Sequence, residues 1–354
     1  MKPRLAHTLK FAVVAGLAAW LGGCANLAYY AQAVNGQVDL WRRSRPIEEV
    51  AADPATDEAL KRKLANVVRL REFASRELKL PDNRSYANYA DLQRPYVIWN
   101  VFATPALSIK PREWCFVGAG CVSYRGFFSQ AEAEKFSQEL REAGDDVYVG
   151  GVPAYSTLGW FNDPVLNTFI GYPETELARL IFHELAHQVV YVRDDSVFNE
   201  SFATAVEMEG VSRWLDRHGT AKQREVFDAS QQRRTAFTAL ILNYRKQLQE
   251  LYASGKPDAD KRADKAKIFA QLREEFSRLK AGNVGFSRYD RWFAQELNNA
   301  HLASVSTYTQ LVPAFQALLV QQQGDMGKLF AAVKEMSGLS KAERGVRLAY
   351  ASGG

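Results

Sequence analysis

His183-Glu184-Leu185-Ala186-His187 lies inside a helical run, Glu176 to Tyr191. Two histidines four apart sit on one face of a helix. Their imidazoles can hold one zinc ion there, and Glu184 between them can act on a zinc-bound water as general base. The chain has five histidines. His7 belongs to an N-terminal segment of another kind; His218 and His301 are the other two. Two of the remaining four falling at this spacing is unexpected for a chain that binds no metal. His218 precedes Gly219 and suits a helix C-terminus. His301 reads as structural.

A third ligand is available downstream. Val192-Arg193-Asp194-Asp195-Ser196 can end the first helix and cap a second that begins near Ser196. A short turn makes the two helices antiparallel, so Glu200 returns toward His187. Glu207, seven residues further on, shares the face of Glu200. It is either a supporting carboxylate beside a ligand, a rival ligand, or a solvated acid. A His, His, Glu set with one water is the open site that hydrolysis requires. The oxyanion needs a further donor. Tyr308 is the first candidate and Tyr155 the second, against the alternative of ordinary core aromatics. Gly150-Gly151 can let a peptide backbone pair with a strand edge, or can make a plain turn or bulge.

Around this motif the pattern changes along the chain. Residues 25–78 read as helices, with Leu60, Leu64, Val67, Val68 and Leu70 near helical spacing, until Pro81-Asp82-Asn83 breaks the run. Tyr96 to Phe102, Val122 to Phe128 and Val147 to Val152 are rich in β-branched and aromatic residues and read as strands. Ser129 to Ala143 reads as a capped helix. Pro173, with Glu174 and Glu176, opens a helical remainder. Within it, residues 221–281 form a charged helical hairpin about Ser254-Gly255-Lys256-Pro257. The expected fold is α+β and mostly helical, with a small sheet in the N-terminal half. The expected divisions are a signal segment at 1–23, a helical region at 24–94, and a domain at 95–354 that carries the metal motif.

At 354 residues, 47% hydrophobic and 24% charged, the chain has the balance of a folded protein. Three cysteines exclude a disulfide scaffold. Residues 1–10 hold Lys2, Arg4 and Lys10 and no acid, residues 11–21 are almost wholly apolar, and Leu21-Gly22-Gly23-Cys24 follows. This is the order of a secretory signal, too short to span a bilayer. The alternative is an uncleaved anchor helix. Cleavage lowers the formal charge from +5 to +2, and the electrostatic case for a nucleic-acid partner disappears. Cys115 and Cys121, with two glycines between them, suit a disulfide in an oxidising compartment; the alternative is a pair of buried thiols.

Leu21 to Cys24 resembles the bacterial lipobox. That resemblance implies cleavage before Cys24, lipidation of Cys24 and a membrane anchor. Ala25 in the next position implies sorting to the outer membrane, on its periplasmic face. His-Glu-Leu-Ala-His-Gln at 183–188, then Asn199-Glu200-Ser201-Phe202-Ala203 with Glu207, resembles the gluzincin peptidases, and the aminopeptidase N group above all. The whole chain is similar to a family of bacterial lipoproteins labelled putative aminopeptidases, through the lipobox, the cysteine loop, residues 154–161, the zinc motif and Asn298 to Tyr308. The resemblance implies a zincin-like helix pair holding one zinc ion through His183, His187 and Glu200, with peptides as substrates. The interval from His187 to Glu200 is shorter than in aminopeptidase N. A metzincin would need histidine where Arg193 stands. No GAMEN-like segment is present to hold a substrate amine. These departures favour zinc peptidase chemistry over amino-terminal specificity. The competing function is a lipoprotein that binds partners through its helical hairpin, its zinc site structural or lost.

Overall fold

The computed structural model describes residues 29–116, 120–154 and 156–351. The signal segment and Cys24 lie outside them, as does Tyr155. Helix α1 (29–43) leads into β1 (Arg45–Pro46), α2 (Ile47–Ala52) and α3 (Glu58–Arg76). Asp57 starts α3 by accepting from the Ala59 and Leu60 amides. Strands β2 (Asn88–Ala90), β3 (Ile98–Pro105), β4 (Trp114–Phe116), β5 (Gly120–Val122) and β6 (Arg125–Phe127) follow. Helix α4 (Gln130–Glu142), capped by Ser129, then β7 (Asp145–Val152), β8 (Val165–Leu166) and α5 (Asn167–Ile170) complete the first half.

The rest is helical: α6 (Glu174–His187), α7 (Ser196–His218), α8 (Ala221–Ala253), α9 (Asp258–Gly282), α10 (Asp290–Phe293), α11 (Asn299–Thr309), α12 (Val312–Gln321), α13 (Met326–Ser337) and α14 (Lys341–Ala351). The fold is mostly helical α+β, with α8 and α9 as the long hairpin. No described helix is long and apolar enough to cross a membrane.

The β structure is divided more finely than the residue pattern suggests. β3 is central, with β6 and β7 antiparallel on either side. β1, β2 and β8 form a second small sheet in which β2 and β8 run parallel. β4 and β5 form a separate hairpin in which Cys115 lies opposite Cys121, and the two are joined. The run from Val122 to Phe128 is therefore not one strand. Val122 pairs with Trp114 of β4, whereas Phe127 pairs with Trp99 of β3. The chain must turn at Ser123-Tyr124 to serve both.

One core joins early and late parts of the described residues: Leu40 and Leu64 share it with Leu177, Phe202, Phe315 and Leu348. Helix α6 lies inside it. Every residue from Leu180 to His187 is buried, as befits an interior helix rather than one with a wet face. Its Phe182 meets Phe73 of α3. At Gly210 a side chain would run into Phe182 and Leu78, so glycine lets α7 approach α6 closely there. The hairpin has its own aromatic core, in which Phe276 stacks on Phe293.

Candidate metal centre

The turn between α6 and α7 delivers Glu200 to the two histidines, and it is held from several sides. The Asn199 side chain accepts from the Val192 amide at 2.8 Å and donates to the Val192 carbonyl at 2.7 Å. Asp195 caps α7 through the Phe198 amide, and its other carboxylate oxygen pairs with buried Arg344 at 2.8 Å. Asp194 has φ of 65°, and its carboxylate accepts from the Cys121 amide at 2.6 Å. The Ser123 amide donates to Ser196 Oγ. The disulfide hairpin thus docks on this turn, and the C-terminal helix locks it from the core side.

On the antiparallel pair, His183 Nε2 stands 3.2 Å from His187 Nε2 and 3.3 Å from Glu200 Oε2. His187 Nε2 stands 3.6 Å from the same Glu200 oxygen. These three buried residues form a group able to hold a metal ion. Glu200 Oε1 accepts from the Tyr124 hydroxyl at 3.4 Å. On the far side of the His183 ring, Nδ1 lies 2.9 Å from Glu207 Oε2. Glu207 is also gripped by Arg179 of α6 at 3.1 Å and by Arg234 of the hairpin at 2.8 Å. His187 Nδ1, also buried, has no hydrogen-bond partner among the described residues.

Burying so many ionisable groups is costly unless each charge is compensated. Burial works against charge on His183, but the Glu200 and Glu207 carboxylates beside it push it up to about 10. Burial likewise opposes charge on Glu200, which the two imidazoles hold down at about 2. Glu207 is lowered further, against burial, by Arg179, His183 and Arg234. Glu184 differs in kind. Burial raises its pKa above the ordinary carboxylate range and exceeds the pull of the histidines, which makes its carboxylate the better proton acceptor.

His183, His187, Glu184 and Glu200 line one cavity of about 670 Å³. Tyr308 of α11 lines it too, its ring centre 6.5 Å from that of His183. Burial, then the Glu200 and Glu184 carboxylates, raise the Tyr308 phenol well above 10, so it remains a hydrogen-bond donor. Gly150 and Gly151 are not in the wall. They lie in the paired part of β7, opposite Asn100 and Trp99, and the Tyr96 ring fills the space where a Gly151 side chain would go. Val152 and Ala154, just beyond, do line the cavity. His301 is drawn into the start of α11, where its Nδ1 faces Asn298. Burial, then Arg273 and Arg141, lower it to about 3.

Residues 28–348 match a family model described as "Putative aminopeptidase". The chain belongs to that family. No curated protein and no solved structure matches it.

The site of this aminopeptidase-family chain holds several residues that pattern reasoning did not single out. Arg179 precedes His183 by four residues, so helical spacing alone could have placed it beside the ligand face. Asn199 adjoins Glu200, and only its clamp on Val192 discloses its part. Tyr124 and Arg234 carry no local signal; a strand turn and the hairpin bring them in.

Proposed function

We propose that this chain is a zinc-dependent peptidase of gluzincin type, with His183, His187 and Glu200 as zinc ligands. The observation that carries the proposal is the convergence of His183 Nε2, His187 Nε2 and Glu200 Oε2 at 3.2 to 3.6 Å on the wall of one cavity. Zinc bonds of about 2.0–2.1 Å in tetrahedral array put neighbouring ligand atoms roughly 3.3 Å apart. Two imidazoles and one carboxylate also suit that ion chemically. Bound there, zinc would polarise a carbonyl and make water more acidic.

The chain's own groups account for the rest. Hydrolysis adds water to the scissile carbonyl carbon and breaks the C–N bond. Glu184 takes the proton from the water and returns it to the leaving nitrogen. The Tyr308 hydroxyl donates a hydrogen bond to the oxygen as negative charge develops. Glu207 accepts from His183 Nδ1 and so presents Nε2 to the ion. Arg179 and Arg234 keep Glu207 anionic and in place.

Peptides are the substrates in this proposal, and the family description favours removal of amino-terminal residues. The protein is held by lipid on Cys24 at the periplasmic face of the outer membrane. Arg234 and Phe237 of the hairpin helix α8 line the cavity, which supports a part for the hairpin in the site itself. The test is a peptide-library digest read by mass spectrometry, with metal measured on the same sample. Stoichiometric zinc with hydrolysis that stops in Glu184→Gln supports the enzyme. Undiminished hydrolysis in that variant excludes the mechanism. Membrane fractionation of Cys24→Ala tests the anchor, since an unacylated chain should leave the membrane.

A further inference from the structure

Helix α1 presents apolar side chains to the outside. Tyr30 is 38% exposed, Val34 59% and Trp41 43%. Steps of four and seven residues put all three on one face. Trp41 meets Phe161 edge-on, with ring centres 4.7 Å apart. Phe161 is 45% exposed and Trp160, next to it, 75%. The loop that displays them is held in shape: Thr157 Oγ1 bonds both the amide and the carbonyl of Phe161, and the Thr157 amide donates to buried Asp163. An aromatic patch of this kind marks an interaction surface.

We propose that this face, Tyr30, Val34, Trp41, Trp160 and Phe161, rests in the interface of a lipid bilayer. Tryptophan and tyrosine favour that depth, where one end of the ring is apolar and the other wet. The position in the chain selects lipid over a protein partner. From Cys24 to Tyr30, where the face begins, six residues can reach at most about 22 Å. Acyl chains on Cys24 would hold this face against the bilayer rather than let it hang free. The same helix and loop give Tyr29, Tyr30, Ser156 and Leu158 to the cavity wall. In this proposal the cavity is reached from the membrane surface and receives peptide segments that lie there. This proposal rests on the anchored-peptidase function proposed above.

The test uses the full acylated chain in phosphatidylethanolamine–phosphatidylglycerol vesicles with brominated acyl chains, which quench tryptophan on contact. Quenching is expected, reduced in Trp160→Phe and lost for the greater part in the Trp41→Phe/Trp160→Phe pair. Both changes are on exposed rings and retain an aromatic side chain. Absence of quenching, or quenching undiminished in the double variant, overturns the proposal, and a second copy or a protein partner then covers the face. Hydrolysis of a soluble peptide by the parent chain in detergent is followed in parallel. Activity without quenching removes the membrane seat alone, whereas quenching without activity removes the peptidase function alone.

Discussion

His183 Nδ1 lies 2.9 Å from Glu207 Oε2, on the side of the ring opposite the nitrogen that faces Glu200. Two carboxylates seven residues apart on one helix thus hold one imidazole from both edges. Their roles separate by substitution. Glu200→Gln replaces the proposed anionic ligand and should lose metal affinity and activity together. Glu207→Gln leaves all three proposed ligand atoms in place but loosens the ring, so metal affinity should fall by about 10- to 100-fold. Zinc titration of the two purified variants measures both. Full occupancy in Glu200→Gln with loss in Glu207→Gln would reverse the assignment.

Tyr308→Phe removes only a hydroxyl from the cavity wall. If the phenol serves the developing oxyanion, kcat should fall on the order of 100-fold while KM and metal content change little. Steady-state kinetics with metal analysis checks this. A fall in zinc content equal to the fall in rate would mean that the ring is structural.

Arg344 and Asp195 form a buried pair between α14 and the cap of α7. Arg344→Ala leaves the Asp195 carboxylate buried with Lys341, 3.6 Å away, as its remaining cation. Breaking a buried pair typically costs 3–5 kcal/mol. The residual lysine puts the expected loss at about 3 kcal/mol, read as a shift in the urea midpoint. Stability equal to the parent would show that α14 does not hold the turn.

The metal-free protein should have a bell-shaped stability profile. His183 is raised from 6.5 to about 10, so its contribution is complete below about pH 6.5 and is lost as pH rises through 10. Glu200 is lowered from 4.5 to about 2, so its contribution is complete above about pH 4.5 and is lost as pH falls through 2. Thermal unfolding after chelation should therefore show a maximum between those limits. In His183→Gln the alkaline decline should flatten. An unchanged alkaline limb would count against the His183–Glu200 contact.

The local pattern determined what depends on near neighbours. Helical spacing placed His183 and His187 on one face, Asp195-Ser196 marked the start of α7, and Ser254 to Pro257 marked the hairpin turn. The joined cysteines and the mostly helical α+β class were legible for the same reason, since each rests on short stretches of chain. The strands were found but not their partners: Val122 and Phe127 read as one run and pair with different strands. Pairing is decided by residues far away in sequence, which a local run does not contain. Glu200 and Glu207 share a helix face; the short turn favoured Glu200, but helical spacing does not fix which carboxylate meets a ring nitrogen toward the cavity. The crossing of α7 on α6 decides that, and it depends on the close approach at Gly210, the Asn199 clamp and the Asp195–Arg344 lock. Tyr124 and Arg234 enter the site only because the chain folds back on itself. Motif spacing supplied the candidate groups of the centre, and long-range packing decided its geometry, because contacts between distant segments determine where each side chain comes to rest.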